Sequence, residues 1–264
     1  MEIKDLSGLG AYSPILYELY KDMAQPAARN VGLALGAITS IGLFLHLLTS
    51  WGTERINLRL KDNLVKYADR LKDFPEEEIV QAPPEVAMPI MEKLSYVTNE
   101  ELKELYIELL AKASIKDLND SAHPSFINII NNLSPDEALL LGYLKDRPYL
   151  PYVDIILKGI NNIQYHLEDL VCLTPGLDLN FQNNFKAYLC NLESCGLVNV
   201  LPDRVFVDEK EYEIYINYMN NNLIHYEKNF KDLKKDPFSK SPYQLIKGTI
   251  EVTDFGHLFF KAVY

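Results

Sequence analysis

The chain has 264 residues, which is enough to bury a large core as one domain or as two. Its residues are 48% hydrophobic, which excludes disorder of the whole chain. The formal net charge of −11 argues against nucleic acid as a partner, because proteins meet the phosphate backbone with clustered Lys and Arg. Three cysteines, and an N-terminus without the pattern of a signal peptide, predict a cytoplasmic location or one at the cytoplasmic face of the inner membrane.

An uncharged run dominates the N-terminal region, which we place at residues 1–75. From Asn30 to Thr53 there are 24 consecutive positions without a charged side chain. A single helix of this length measures about 36 Å, and the hydrocarbon layer of a bilayer is about 30 Å thick. The run therefore predicts one long hydrophobic helix at 30–53. Because the run also contains glycine and polar residues, two environments for this helix remain possible: a membrane and the core of a helical domain.

The small and polar residues of this run follow a helical repeat. On one continuous helix they form a narrow stripe, opposite a broad apolar face. Such a stripe permits close helix packing between copies or lines a polar pore in a bilayer. The predicted stripe consists of Gly32, Gly36, Thr39, Gly42, His46, Thr49 and Thr53.

Helical patterns continue after the run. Residues 54–73 carry apolar side chains three and four positions apart, typical of an amphipathic helix: Ile56, Leu60, Leu64, Tyr67 and Leu71. The proline-rich segment 74–89 marks a boundary, and the helical body is placed at 76–264. Two later helix starts have the spacing of a capping box, Thr98 with Glu101 and Ser134 with Glu137.

The C-terminal part is predicted to be a winged-helix-like α/β module. A helix ended by Gly196 is followed by a strand near 197–201, and a second strand near 249–252 leads into a closing helix. Between the strands lies an inserted helix at about 208–235. The predicted fold class is thus mainly α, with a helical N-terminal region that contains the long hydrophobic helix, and this winged-helix-like module.

The inserted helix carries apolar residues on two neighbouring ridges. A seven-residue repeat of this kind is typical of helices that pair with another helix. We therefore expect a homo-oligomer that is held together by Tyr212, Ile216, Met219, Leu223, Tyr226, Phe230 and Leu233.

The sequence contains no linear motif for catalysis, for cofactor binding or for a metal. His166 and the three cysteines have spacings that match no common zinc module. The helix that would enter a DNA groove, at 182–194, carries only Lys186 against Glu193, so a nucleic-acid partner is disfavoured. We expect no catalytic, cofactor-binding or metal-binding residues and no enzymatic activity.

Four segments together resemble the abortive infection alpha family of bacterial phage-resistance proteins. They occur in the order LYKDMAQPAARNVGLALG, AHPSFINIINNLSPDEALLL, YLCNLESCGLV and IEVTDFGHLFFKA. The resemblance implies a role in abortive infection, in which an infected cell stops growing or dies before new phage emerge. It implies no catalytic residue.

Two mechanisms are compatible with this role. The first is a non-enzymatic effector that engages the inner membrane through its hydrophobic helix and associates with itself. The alternative is a cytosolic module that senses or sequesters a phage or host protein.

Overall fold

A computed structural model describes residues 25–36, 54–202, 204–233, 235 and 242–264. Its helices are α1 (Gln25–Ala34), α2 (Glu54–Leu71), α3 (Pro84–Tyr96), α4 (Glu100–Ala113), α5 (Ser125–Asn131), α6 (Pro135–Lys145), α7 (Phe185–Ser194), α8 (Glu213–Asn229) and α9 (Asp254–Val263). Its strands are β1 (Tyr149–Lys158), β2 (Gln164–Val171), β3 (Val198–Leu201) and β4 (Tyr243–Val252). The chain divides into two compact units, residues up to 138 with 258–264, and residues 139–257.

Helix α2 is central to the helical unit. Its predicted apolar stripe is confirmed at Leu60, Leu64, Tyr67 and Leu71, which are all buried, and the helix packs against α1, α3 and α4. The side chain of Ile56 is not among those that the structure describes. Inside this core the Tyr67 hydroxyl lies 2.6 Å from Ser114 Oγ, which itself donates to a backbone carbonyl of α4. At the rim, Lys66 and Arg70 form ion pairs with carboxylates of α4.

The prediction of one long hydrophobic helix at 30–53 is wrong. Helix α1 ends at Ala34, whose carbonyl accepts a hydrogen bond from the amide of Ala82 (3.0 Å), a residue outside the run. The Asn30 side chain is buried and donates to the carbonyls of Leu71 and Phe74, so it caps the C-terminal end of α2. The start of the run is therefore part of the core of the helical unit.

None of the helices among the described residues combines the length and the apolar composition that crossing a bilayer requires. The rest of the run, residues 37–53, lies outside the described residues.

The second unit contains a four-stranded antiparallel sheet in the order β2-β1-β4-β3. The winged-helix-like module was predicted with two strands, near 197–201 and 249–252. The predicted number of strands is wrong, and the winged-helix-like fold itself is not confirmed. Strand β4 begins at Tyr243, and β1 and β2 were not predicted. Pro151 and Asp154 interrupt the apolar pattern of β1, and such residues are rare in a central strand.

Two local sequence signals were interpreted correctly. Gly196 ends α7 with φ +74°, and the amides of Gly196 and Leu197 bond to carbonyls of the last helical turn. Ser134 and Glu137 form the predicted capping box, since each side chain accepts from the backbone amide of the other residue. The inserted helix α8 has 17 residues and follows a short 3₁₀ turn at Glu209–Tyr212.

The start of α4 provides a stability test. The N-cap is Asn99 and not Thr98, because Asn99 Oδ1 accepts a hydrogen bond from the amide of Leu102 (3.0 Å). We expect Asn99→Ala to lower the free energy of unfolding by about 1 kcal/mol. The matched control Thr98→Ala changes an exposed residue and should cost less than about 0.5 kcal/mol. Urea unfolding measures both, and equal losses would contradict the assignment.

Candidate functional site

Helix α8 packs against one face of the sheet through its apolar side. Its buried residues Tyr215, Met219 and Tyr226 form a cluster with Val153 and Ile155 of β1. The helix therefore has an inward face, which completes the core of this unit, and an outward face.

The seven predicted oligomer contacts mostly lie on the inward face. The structure buries three of them in the cluster, packs two more against it and leaves Ile216 44% exposed. Leu233 lies beyond the end of the helix and is half-buried. The buried three are Tyr212, Met219 and Tyr226, and the packed two are Leu223 and Phe230. A role of these residues in oligomer contact stays a prediction.

Tyrosine hydroxyls attach α8 to the sheet. The Glu168 carboxylate of β2 accepts hydrogen bonds from Tyr218 (3.0 Å) and from Tyr226 (2.7 Å). The hydroxyl of Tyr215 donates to the carbonyl of Pro151 in β1. Burial, with the adjacent Glu168 charge added, raises the pKa of Tyr218 to about 12 and also raises the pKa of Tyr226. The orientation of the helix is thus fixed by directional bonds as well as by apolar packing.

The outward face of α8 is apolar at both ends and carries amides between them. Ile214 is 42% exposed and Ile224 is 82% exposed, and the exposed residues Asn217 and Asn221 lie between them. The four positions are spaced by three, four and three residues, so they share one side of the helix. We call Ile214, Asn217, Asn221 and Ile224 the outer stripe.

Potential metal ligands meet on the opposite face of the sheet. Single ligand atoms of Asp154, His166 and Asp169 all lie within 4.8 Å of one another. His166 Nδ1 is 2.6 Å from Asp169 Oδ1, and Asp154 Oδ1 accepts from the amide of Leu170 (2.7 Å). No metal site was expected from the sequence, where His166 was weighed as a ligand only together with the three cysteines.

The predicted stripe of the N-terminal run can be followed only at its first two positions. Gly32 is an exposed residue of α1, and Gly36 follows the turn at Leu35. The stripe required one continuous helix, which the end of α1 at Ala34 interrupts. The other five positions lie outside the described residues: Thr39, Gly42, His46, Thr49 and Thr53.

A comparison with protein families decides the affiliation. The model of the family described as abortive infection alpha matches residues 55–263. The chain belongs to the abortive infection alpha family. No curated protein and no solved structure matches it.

Membership in the abortive infection alpha family indicates a role in anti-phage defence. It confirms the resemblance predicted from the four segments. The match extends from α2 to α9, so it covers the sheet, α8 and the ligand cluster. The uncharged run lies before the matched range.

Three site residues of this family member were missed by sequence reasoning. Asp154 is the single charged residue in an apolar stretch of β1, which is a usable signal. Glu168 and Asp169 gave no such signal, because β2 is polar along much of its length. The side of the strand on which each one lies depends on irregularities in the strand pairing, which the sequence does not reveal.

The tyrosine–Glu168 contacts predict a measurable titration. We expect Glu168→Gln to lower the pKa of Tyr218, because the negative charge that opposes phenolate formation is removed; burial still keeps the pKa above its ordinary value. Alkaline absorbance difference spectra between each protein and its Tyr218→Phe derivative isolate this group among 17 tyrosines. The control Glu213→Gln changes an exposed carboxylate of α8 and should leave the pKa unchanged.

The raised pKa of Tyr218 also makes the stability of the folded chain depend on pH. The unfolded chain releases the Tyr218 proton near pH 10, and the folded chain holds it to about pH 12. This contribution to stability is therefore complete below pH 10 and is lost as the pH rises through 12. A Tyr218 pKa unaffected by Glu168→Gln would contradict the coupling.

Proposed function

We propose that this protein acts in abortive infection through protein–protein contacts rather than catalysis, and that copies of the chain associate through the outer stripe of α8. The proposal rests on the exposure of the Ile224 side chain. It is 82% exposed, on a helix whose opposite face already completes a core. An apolar group in this position gains free energy when a partner covers it.

The outer stripe is self-complementary in an antiparallel arrangement. Its positions 214, 217, 221 and 224 are symmetric about residue 219. A two-fold axis at that point places Ile214 against Ile224 of the second copy and Asn217 against Asn221 of the second copy. Identical patches that face each other are what a two-fold dimer requires. Paired amides at the centre favour one register over shifted alternatives.

The charges at the ends of the helix favour the same arrangement. The segment before and at the start of α8 is acidic, with Asp208, Glu209, Glu211 and Glu213 against Lys210. The last turn and the segment after it are weakly basic, with Lys228, Lys231, Lys234 and Lys235 against Glu227, Asp232 and Asp236. Lys235 is already paired with Glu227 at 3.0 Å. Antiparallel helices bring opposite ends together, so the attraction adds to the apolar contact at low salt.

The association is expected to be weak when only this surface takes part. Stable interfaces bury about 800 Å² on each partner, which is more than one stripe of four residues supplies. A weak contact makes assembly depend on protein concentration.

A partner of a different kind is the second candidate. The same exposed isoleucines can bind an apolar surface of a phage or host protein. This corresponds to the sensing or sequestering module considered from the sequence.

The membrane mechanism loses its main support, because α1 ends at Ala34 and the start of the uncharged run is packed in the helical unit.

The test is a charge placed in the outer stripe. We expect Ile224→Glu to raise the dissociation constant of the dimer by at least about tenfold, which corresponds to about 1.4 kcal/mol. Sedimentation equilibrium over a range of concentrations measures it. Phage plaque counts on cells that express the variant should rise toward those without the protein. The matched control is Ile163→Glu, a 49% exposed isoleucine outside α8, which should change neither result.

Two outcomes would contradict the proposal. If Ile224→Glu associates and protects like the unchanged protein, the outer stripe has no role. If the unchanged protein is monomeric at all concentrations and Ile224→Glu still abolishes protection, the stripe binds another protein and self-association is wrong.

A further inference from the structure

We propose that Asp154, His166 and Asp169 form a binding site for one divalent transition-metal ion, such as Mn²⁺ or Zn²⁺. The site lies on the sheet face opposite to α8, so it is independent of the outer stripe. Its ligands come from two neighbouring strands, and they meet because of the way in which β2 is paired.

The pairing of β1 with β2 is irregular at two points. Ile156 pairs with His166, but Ile155 pairs with Glu168, so β2 has one extra residue between them. A second extra residue follows before Val153 pairs with Val171. Such β-bulges change which face a side chain occupies. Glu168 consequently lies on the α8 side, where it accepts from Tyr218 and Tyr226.

The bulges place His166 and Asp169 on one face. In a regular strand two residues three positions apart point to opposite sides. Here His166 pairs with Ile156, so its side chain lies on the sheet face away from α8. Asp169 comes directly after Glu168, which faces α8, so the Asp169 side chain also points away from α8. Asp154 lies between Val153 and Ile155, which both face α8, so its side chain points to the same side as His166.

The donor types form a mixed set of one imidazole nitrogen and two carboxylates. Carboxylates suit Mn²⁺, and imidazole suits Zn²⁺ and other transition metals. Ligand atoms about 2.0–2.2 Å from one ion lie up to about 4.4 Å apart. The spread of 4.8 Å found here needs only small side-chain rotations to reach this range.

One ligand is already oriented. The amide of Leu170 donates to Asp154 Oδ1 and leaves the second carboxylate oxygen for an ion. Leu170 has φ +51°, a left-handed conformation that costs a residue with a side chain about 1–2 kcal/mol. This backbone conformation sets the amide that orients Asp154.

The electrostatics favour a cation. Two carboxylates and a neutral imidazole carry a charge of −2, which a divalent ion neutralises. His166 and Asp169 are each about half exposed, so an ion can enter, and water can complete its coordination. An ion bound by His166 Nδ1 and Asp169 Oδ1 replaces the hydrogen bond that these two atoms make at 2.6 Å.

Manganese is the probe for the test. Electron paramagnetic resonance of the full chain titrated with MnCl₂ should show the signal of free Mn²⁺ reduced by one ion per chain. The bound ion should show a coupling to ¹⁴N from the imidazole. We expect Asp154→Asn and His166→Asn each to weaken binding by at least about tenfold, because even residues that only orient metal ligands have effects of this size. His166→Asn should also abolish the nitrogen coupling.

Matched controls keep the result interpretable. His225→Asn and Asp178→Asn change an exposed histidine and an exposed aspartate outside the cluster, and both should bind as the unchanged protein does. Asp154→Asn keeps the oxygen that accepts from Leu170, and circular dichroism verifies that it folds. The proposal is overturned if the unchanged protein binds Mn²⁺ no more tightly than millimolar, or if folded His166→Asn binds it equally well.

Discussion

Strand β1 is the element on which the sheet unit depends. It is hydrogen-bonded along most of its length to β4 on one side and to β2 on the other. Because side chains alternate along a strand, β1 supplies both faces of the sheet at once. Val153 and Ile155 form the core with α8, and Asp154 between them places a potential metal ligand on the other side. A shift of β1 by one residue would exchange the two faces and remove both features.

The two sides of the sheet are linked by the irregular pairing of β2. Glu168 can hold the tyrosines of α8 only because an extra residue turns it away from the side of His166. The same irregularity brings His166 and Asp169 together. The attachment of α8 and the convergence of the potential metal ligands therefore have one structural cause. A change that regularises β2 would be expected to disturb both.

Much of the local structure could be predicted from the sequence, because its causes are local. The stripe of α2, the capping box at Ser134 and the helix end at Gly196 each depend on residues within a few positions of one another. The uncharged run was misinterpreted because its length shows only that it is apolar. Its helix ends where the Ala34 carbonyl bonds to Ala82, nearly fifty residues away. The convergence of the potential metal ligands Asp154, His166 and Asp169 depends on strand pairing, which is also non-local.

The seven-residue repeat of α8 shows why a helical pattern alone does not identify a partner. A repeat of apolar residues reveals a face that must be covered, but the covering surface can belong to the same chain. Here the sheet covers the strongly patterned face, and the weaker outer stripe is left. Folding does not require an isoleucine at position 224, since a polar residue on an exposed helix face is at least as favourable. Together with the symmetric spacing about residue 219, its exposure is the reason to propose that the outer stripe contacts a second copy of the chain.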